Sequence, residues 1–378
     1  MESRLYQLWF KLLYPTGSAA AVFALQAFDL NPLALYQADA DCLRARGIAE
    51  KDIKKLMQKE LSSAQALLDT CAQTGTLLLW QTDPCYPQAL LSLPDYPSLL
   101  FALGDVSILN RNCVCIVGSR TASARGSSMA AKLTQHAVSV GLVPVTGAAT
   151  GIDSVVLHTA AALRSPAVSV AAAGLDIIYP ADVSATRQKL CAAGGCVISE
   201  FLFGLPARTH HFPIRNRLLP ALSQGVFVAE AGKKSGALVT AELAKAQSKP
   251  VFAVPGYVDD PSFSGCNQLI RQGATIVIDP DADMASLLDS ASPPPVSAPV
   301  APPVRPVPPV TLKTEKPKPV ISHPVLEKLC ACLCDKSLSA EELIAQTGLS
   351  SAEVSGALVL GCLKDILEKS DDDRYFIK

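Results

Sequence analysis

The chain has 378 residues, 49% apolar and 18% charged, enough material for two or three packed domains. That composition excludes wholesale disorder. The 33 basic and 34 acidic side chains nearly cancel, which excludes a general polycation.

Residues 1–75 read as a mostly helical N-terminal domain. Their longest stretch without charge or histidine, Leu12–Phe28, spans 17 residues and contains Pro15 and Gly17. It falls short of the ~20 apolar residues that cross a bilayer, and Glu2 stands where a signal peptide would be basic. No membrane partner is expected. Cysteines such as Cys113, Cys115 and Cys196 sit inside apolar strands, as reduced thiols do, so a cytoplasmic location is expected.

From 76 to 289, apolar runs alternate with helical patterns. The spacing predicts strands at Cys113–Val117, Leu142–Thr146, Ala167–Ala172, Cys196–Ser199, Val226–Ala229, Val251–Val254 and Thr275–Ile278. Helices are predicted at Ser127–Val140, Ile152–Leu163, Ser184–Ala193, Ala237–Gln247 and Asn267–Gln272. Continuous apolar strands separated by helices give an α/β fold, a Rossmann-like, doubly wound parallel sheet. Ligands of such sheets bind where strand C-termini open into loops.

Residues 290–320 hold 11 of the 28 prolines and read as an extended linker. Residues 321–378 read as helices at Pro324–Cys334, Ala340–Thr347 and Ala352–Leu363, then a hairpin, Ile366–Lys369 with Arg374–Ile377. Capping-box patterns open the last two helices, at Ser339/Glu342 and Ser350/Glu353. This is a winged-helix arrangement. Its net charge of −4 and the lone Lys364 near the end of its recognition helix, Ala352–Leu363, disfavour duplex binding and favour a protein contact. Residues 106–280 carry a net +6 instead, so a polyanion should bind the middle segment.

Four loops in that segment carry candidate chemistry. Gly118-Ser119-Arg120 ends the first strand, with Ser123 and Gly126 ahead of a helix whose N–H groups could receive an anion. A plain strand-to-helix turn is the competing reading, because the dinucleotide glycine spacing is absent. Thr146-Gly147 to Gly151-Ile152-Asp153 brings a second glycine loop to the same rim, with Asp153 an ordinary charge at a helix start. Glu230 to Thr240 offers Lys233, Lys234, Ser235, Gly236 and Thr240 to phosphate oxygens, without the order a nucleotide-hydrolysing loop needs. His210-His211-Phe212-Pro213-Ile214-Arg215-Asn216-Arg217 combines phosphate donors, an amide and an aromatic face, the chemistry of single-strand binding. Phe212 can be read as a stacking face or as an anchor of its loop, and the two histidines as solvent-facing. Cys330, Cys332 and Cys334 cannot converge from one helix, so no metal is expected. No catalytic pair is identified.

In their order along the chain these pieces resemble the DprA (Smf) family of DNA-processing proteins. The resemblance rests on Tyr86-Pro87, Val117-Gly118-Ser119-Arg120, Thr146-Gly147 with Gly151-Ile152-Asp153 and His158, and Gly174-Leu175-Asp176 with Tyr179-Pro180. It continues through Ser199-Glu200, Phe212-Pro213 with Arg215-Asn216-Arg217, Glu230-Ala231, Ser235-Gly236 and Thr240-Ala241. It closes with Val251 to Gly256 and Gly265-Cys266-Asn267 to Gly273-Ala274. The resemblance implies an extended Rossmann domain that binds single-stranded DNA and is not an enzyme. It further implies protection of incoming strands during natural transformation, help in loading RecA, and no cofactor. It also implies a homodimer, whose interface we place at Leu269, Ile270 and Ala274. Thr150 stands where the family usually has an arginine, which removes one phosphate contact. The alternative is a nucleotide-processing enzyme of the phosphoribohydrolase type, disfavoured by the absence of its Pro-Gly-Gly-x-Gly-Thr loop.

Overall fold

The computed structural model describes residues 2–179 and 184–289, and beyond them 329, 332–333, 338–349, 354, 358, 367–369 and 374–377. The chain divides into two compact units, 1–307 and 308–378.

The first unit opens with six helices: α1 (Glu2–Leu13), α2 (Ala19–Gln26), α3 (Pro32–Gln37), α4 (Ala40–Ala45), α5 (Glu50–Leu56) and α6 (Ser62–Thr74). Ser18, Asn31 and Asp39 cap α2, α3 and α4, their side chains accepting from first-turn N–H groups that the helix leaves unpaired. Gly75, at φ 67°, stops α6 in the left-handed region. Strands β1 (Leu77–Trp80) and β2 (Leu99–Gly104) then pair antiparallel. Trp9 and Phe10 of α1 share one buried cluster with Trp80, Leu99 and Phe101. At ~1.5–3 kcal/mol per large apolar side chain, that shared core is what holds the helices on the sheet edge.

The sheet continues with β3 (Cys113–Gly118), β4 (Val143–Gly147), β5 (Val168–Val170), β6 (Cys196–Ser199), β7 (Val226–Glu230), β8 (Val251–Ala253) and β9 (Thr275–Ile276). Its order among the described residues is β1-β2-β6-β5-β4-β3-β7-β8-β9. From β6 to β9 every pair is parallel, and β2 joins β6 antiparallel. All seven predicted strands are present; the mixed character comes from β1 and β2, which the sequence reading did not find. The helices between them are α7 (Ala124–Ser139), α8 (Ile152–Ala162), α9 (Ser184–Ala192), α10 (His211–Asn216), α11 (Leu218–Ala221), α12 (Gly236–Ala246), α13 (Ser264–Arg271) and α14 (Pro280–Asp289). The chain leaves β3 in one direction along the sheet and returns to β3's other side at β7. The strand order therefore reverses between β3 and β7, and the loops after those two strands flank the crevice where such sheets bind ligands.

The second unit contains β10 (Leu338–Ser339), α15 (Ala340–Thr347), β11 (Leu367–Lys369) and β12 (Arg374–Ile377). β12 pairs antiparallel with both other strands, Leu367 facing Ile377 and Leu338 facing Tyr375. The capping box at Ser339 and Glu342 forms with both of its hydrogen bonds. Leu329, Leu333, Leu338, Leu343, Val354 and Leu358 make its core. The linker at 290–320, the second capping pattern at Ser350, Cys330, Cys334 and Lys364 lie outside the described residues. Among the described residues, no helix is long and apolar enough to cross a membrane.

Candidate nucleic-acid interface

The rim is built around Gly118, at the end of β3. A Cβ there would run into the Ile152 side chain and the Glu230 carbonyl, so glycine lets the ends of β3 and β7 and the start of α8 close together. The Ser119 N–H donates to the Glu230 carbonyl at 2.8 Å, and the Ser119 carbonyl accepts from the Ile152 N–H at 3.0 Å. The N-terminus of α7, read in the sequence as a free anion site, is already occupied. Ser123 donates its N–H and its hydroxyl to the Glu230 carboxylate and accepts from the Gly126 N–H. A Cβ on Gly126 would fall on that same carboxylate. Glu230 is fully buried, and the helix dipole favours a negative group there. Ser123 thus organises the loop from within, while Arg120 is exposed beyond it.

The arginine-rich segment folds as α10 and departs most from the sequence reading. Arg215 is 3% exposed and Arg217 7% exposed. Arg215 donates to the Val170 carbonyl and, at 3.1 Å, to Asn216 Oδ1. Arg217 holds Glu200 with two bonds at 2.9 and 3.1 Å and Asp95 Oδ2 with a third at 2.9 Å. Neither guanidinium stands free for phosphate, because the fold supplies a buried counter-charge or carbonyl to each. Asn216 and His211 are buried too, and His211 stacks on Phe201 at 4.4 Å instead of facing solvent.

Gly147 makes room for this arrangement: a Cβ there would collide with Asp153 Oδ2 and with both terminal nitrogens of Arg215. Asp153 is thereby more than a helix-start charge. Burial pushes its carboxyl up to about 6, against the opposing pull of Arg215 and a hydrogen bond from Thr146. Sequence reasoning passed over Asp153, Glu200 and Glu230 as organisers. The usable signal was a carboxylate closing an apolar strand run, as in Glu200 after β6 and Glu230 at the end of β7.

Phe212 is 8% exposed. The Arg120 guanidinium lies over its ring at 4.0 Å, and Tyr179 meets it edge-on at 6.0 Å. What faces solvent is therefore the cation on the ring rather than the ring itself. After β7, Lys233 and Lys234 are exposed, Ser235 caps α12 and Thr240 is buried beneath it. Gly236 has open space where a Cβ would stand, and Thr150 is exposed on the loop after β4. The exposed cations expected at the rim, Arg120, Lys233 and Lys234, thus line the switch point. Leu269 and Ala274, proposed for a dimer face, are 2% and 8% exposed within their own protomer, and Ile270 packs against the same core. Those three side chains anchor α13 and the turn that follows it, which leaves little of them for a second subunit.

Behind the rim, Lys11 of α1 is buried near Glu200 and Arg217. Burial pushes its pKa down to about 8; Glu200 opposes this and Arg217 adds to it. Between about pH 8 and an unfolded value near 10.5, the unfolded chain binds the extra proton, so this group's contribution to stability rises with pH. The full swing is roughly 3 kcal/mol at ~1.36 kcal/mol per unit. The buried thiols titrate the other way. The measurement is therefore the difference in urea stability between wild type and Lys11→Met, in which the thiols cancel. That difference should grow in favour of wild type from pH 8 upward; a flat difference would refute the assignment.

Residues 77–288 match the family model described as DNA recombination-mediator protein A. The chain belongs to that family. The Smf protein of Escherichia coli is 30% identical over 286 residues, covering 74% of this chain and 75% of that protein. The structure of DprA from Streptococcus pneumoniae is similar at a TM-score of 0.59 and 27% identity, covering 71% of this chain and 97% of that one. The DprA of Helicobacter pylori, described with a single-stranded DNA binding mode, is similar at 0.52 and 28% identity, covering 57% and 97%. Family membership carries a DNA-processing, recombination-mediator role. Among the described residues no group of three or more His, Cys, Asp or Glu could hold a metal.

Proposed function

We propose that this protein binds single-stranded DNA along the C-terminal rim of the sheet and acts without catalysing a reaction. In this reading it shields incoming strands in the cytoplasm during natural transformation and hands them to RecA. The observation that carries it is the exposed Arg120 guanidinium seated on Phe212, beside exposed Lys233 and Lys234, at the point where strand order reverses. A guanidinium plane can stack on a base or pair with a phosphate, and the lysines follow the backbone. The second unit serves as a winged helix that contacts protein, in keeping with its acidic balance. Homodimerisation belongs to the same reading: β9 ends the sheet as an edge, with Ile276 exposed in it and Ile278 exposed just after it.

Fluorescence anisotropy of the full chain with matched single- and double-stranded oligonucleotides tests the binding. Single strands should bind at least about tenfold more tightly, or ~1.4 kcal/mol. Equal affinity, or release of free base from nucleoside monophosphates, would overturn the reading.

A further inference from the structure

We infer that the rim carries a second base-stacking platform, Tyr257 with Arg125, which extends the track of a single strand from β5 across to β8. The inference rests on the single-strand reading above and specifies the path.

Tyr257 follows β8 and is 70% exposed, with Val258 beside it wholly exposed. An aromatic ring held so far out of the core gains little from burial. It is nevertheless held. Asn267 of α13 accepts from the Gly256 N–H and donates to the Gly256 carbonyl, both at 3.1 Å. A Cβ on Gly256 would collide with the buried Phe263 side chain, so the backbone before Tyr257 packs directly against it. Arg125, exposed in the first turn of α7, lies between the two aromatics, at 4.8 Å from the Tyr257 ring centre and 5.3 Å from that of Phe263. The cation thus covers one face of Tyr257 and the exposure leaves the other open to a planar ligand.

The same short segment feeds both platforms. Arg120 turns toward Phe212, whose α10 neighbour Arg215 bonds to the end of β5. Arg125, five residues on, turns the other way toward the β8 loop. Between them the β7 loop presents Lys233 and Lys234. From β5 to β8 is four strand spacings of ~4.8 Å, about 19 Å. At ~3.4 Å per stacked nucleotide that is roughly six nucleotides, and fewer if the strand is drawn out. A ring-backed guanidinium at one end and a cation-backed ring at the other, with lysines between, match the alternation of bases and phosphates that single-strand grooves use. The chemical class is therefore a continuous single strand that spans the rim, and not a lone nucleotide.

The test is a series of oligothymidylates of increasing length, titrated against the full chain. Tyr257→Ala should weaken binding of oligomers of about twelve nucleotides by about fivefold to a hundredfold, with the salt slope intact. Oligomers of about four nucleotides, which fit the Arg120 end alone, should be unaffected. Tyr257→Phe should bind like wild type, and Arg125→Ala should lose affinity and reduce the salt slope by about 0.7. Thymidine monophosphate should not displace the long oligomer at equal concentration. Wild-type affinity in Tyr257→Ala for long oligomers would overturn the second platform while leaving the Arg120 end standing. A change of mass by light scattering in Tyr257→Ala would overturn it by making the ring a subunit contact, and competition by the mononucleotide would overturn the strand path. Failure of the wild type to bind any single strand would remove the underlying reading as well, and is seen separately.

Discussion

Arg217→Ala is expected to cost about 3–5 kcal/mol of folding stability, the usual result of removing one partner from a buried ion pair. The substitution strips the fully buried Glu200 of both hydrogen bonds from the guanidinium and leaves it the Gly17 N–H at 3.0 Å. It also frees Asp95, which ties the segment after β1 to the junction of α10 and α11. Arg217→Lys should recover little, because an ammonium cannot reproduce the paired donors that grip both oxygens of Glu200. Urea denaturation monitored by far-UV circular dichroism checks this. A variant that unfolds at the wild-type midpoint and loses only DNA affinity would instead make Arg217 a phosphate contact.

Arg120→Ala and Phe212→Ala are expected to behave differently, although the two side chains touch at 4.0 Å. Arg120 is exposed, so its loss should leave the melting curve in place. It should weaken single-strand binding about tenfold or more, in line with ~1.5–3 kcal/mol for a hydrogen bond to a charged group. Phe212 packs with Ala172 and Phe201. Its truncation should cost up to ~3 kcal/mol of stability, at the low end for Phe→Ala because the site lies at the rim, and affinity should fall with it as Arg120 loses its seat. Melting curves run beside anisotropy titrations separate the two. A Phe212→Ala protein of wild-type stability that loses affinity alone would give the ring itself to the DNA.

The contrast between these neighbours shows how far the sequence could be read. Continuous apolar runs such as Cys113–Val117 and Val226–Ala229 are buried on both faces, and that requirement is visible locally. β1 and β2 were missed because their place depends on partners distant in the chain: Phe101 pairs with Ser199, with β3, β4 and β5 intervening in the sequence. The rim loops were legible from their glycines and lysines, and so was the exposed Arg120. Arg215 and Arg217 look in sequence like Arg120. What separates them is Asp95, 122 residues from Arg217, and Asp153, distant from Arg215 in the chain yet flanking the same glycine. Local composition shows that arginines are present, while only the fold decides which of them are already neutralised. Tyr257 drew no attention because a lone tyrosine in a loop carries no pattern; its exposure and the grip of Asn267 exist only in three dimensions.

The most direct test of the rim as the binding surface is the salt dependence of single-strand affinity in wild type and in the Arg120→Ala/Lys233→Ala/Lys234→Ala triple variant. Each phosphate contact on a single strand contributes about 0.7 to the log–log slope. The triple variant should keep the wild-type melting curve, bind much more weakly and show a slope shallower by about 2. An unchanged slope and affinity in a folded triple variant would place the DNA elsewhere on the molecule.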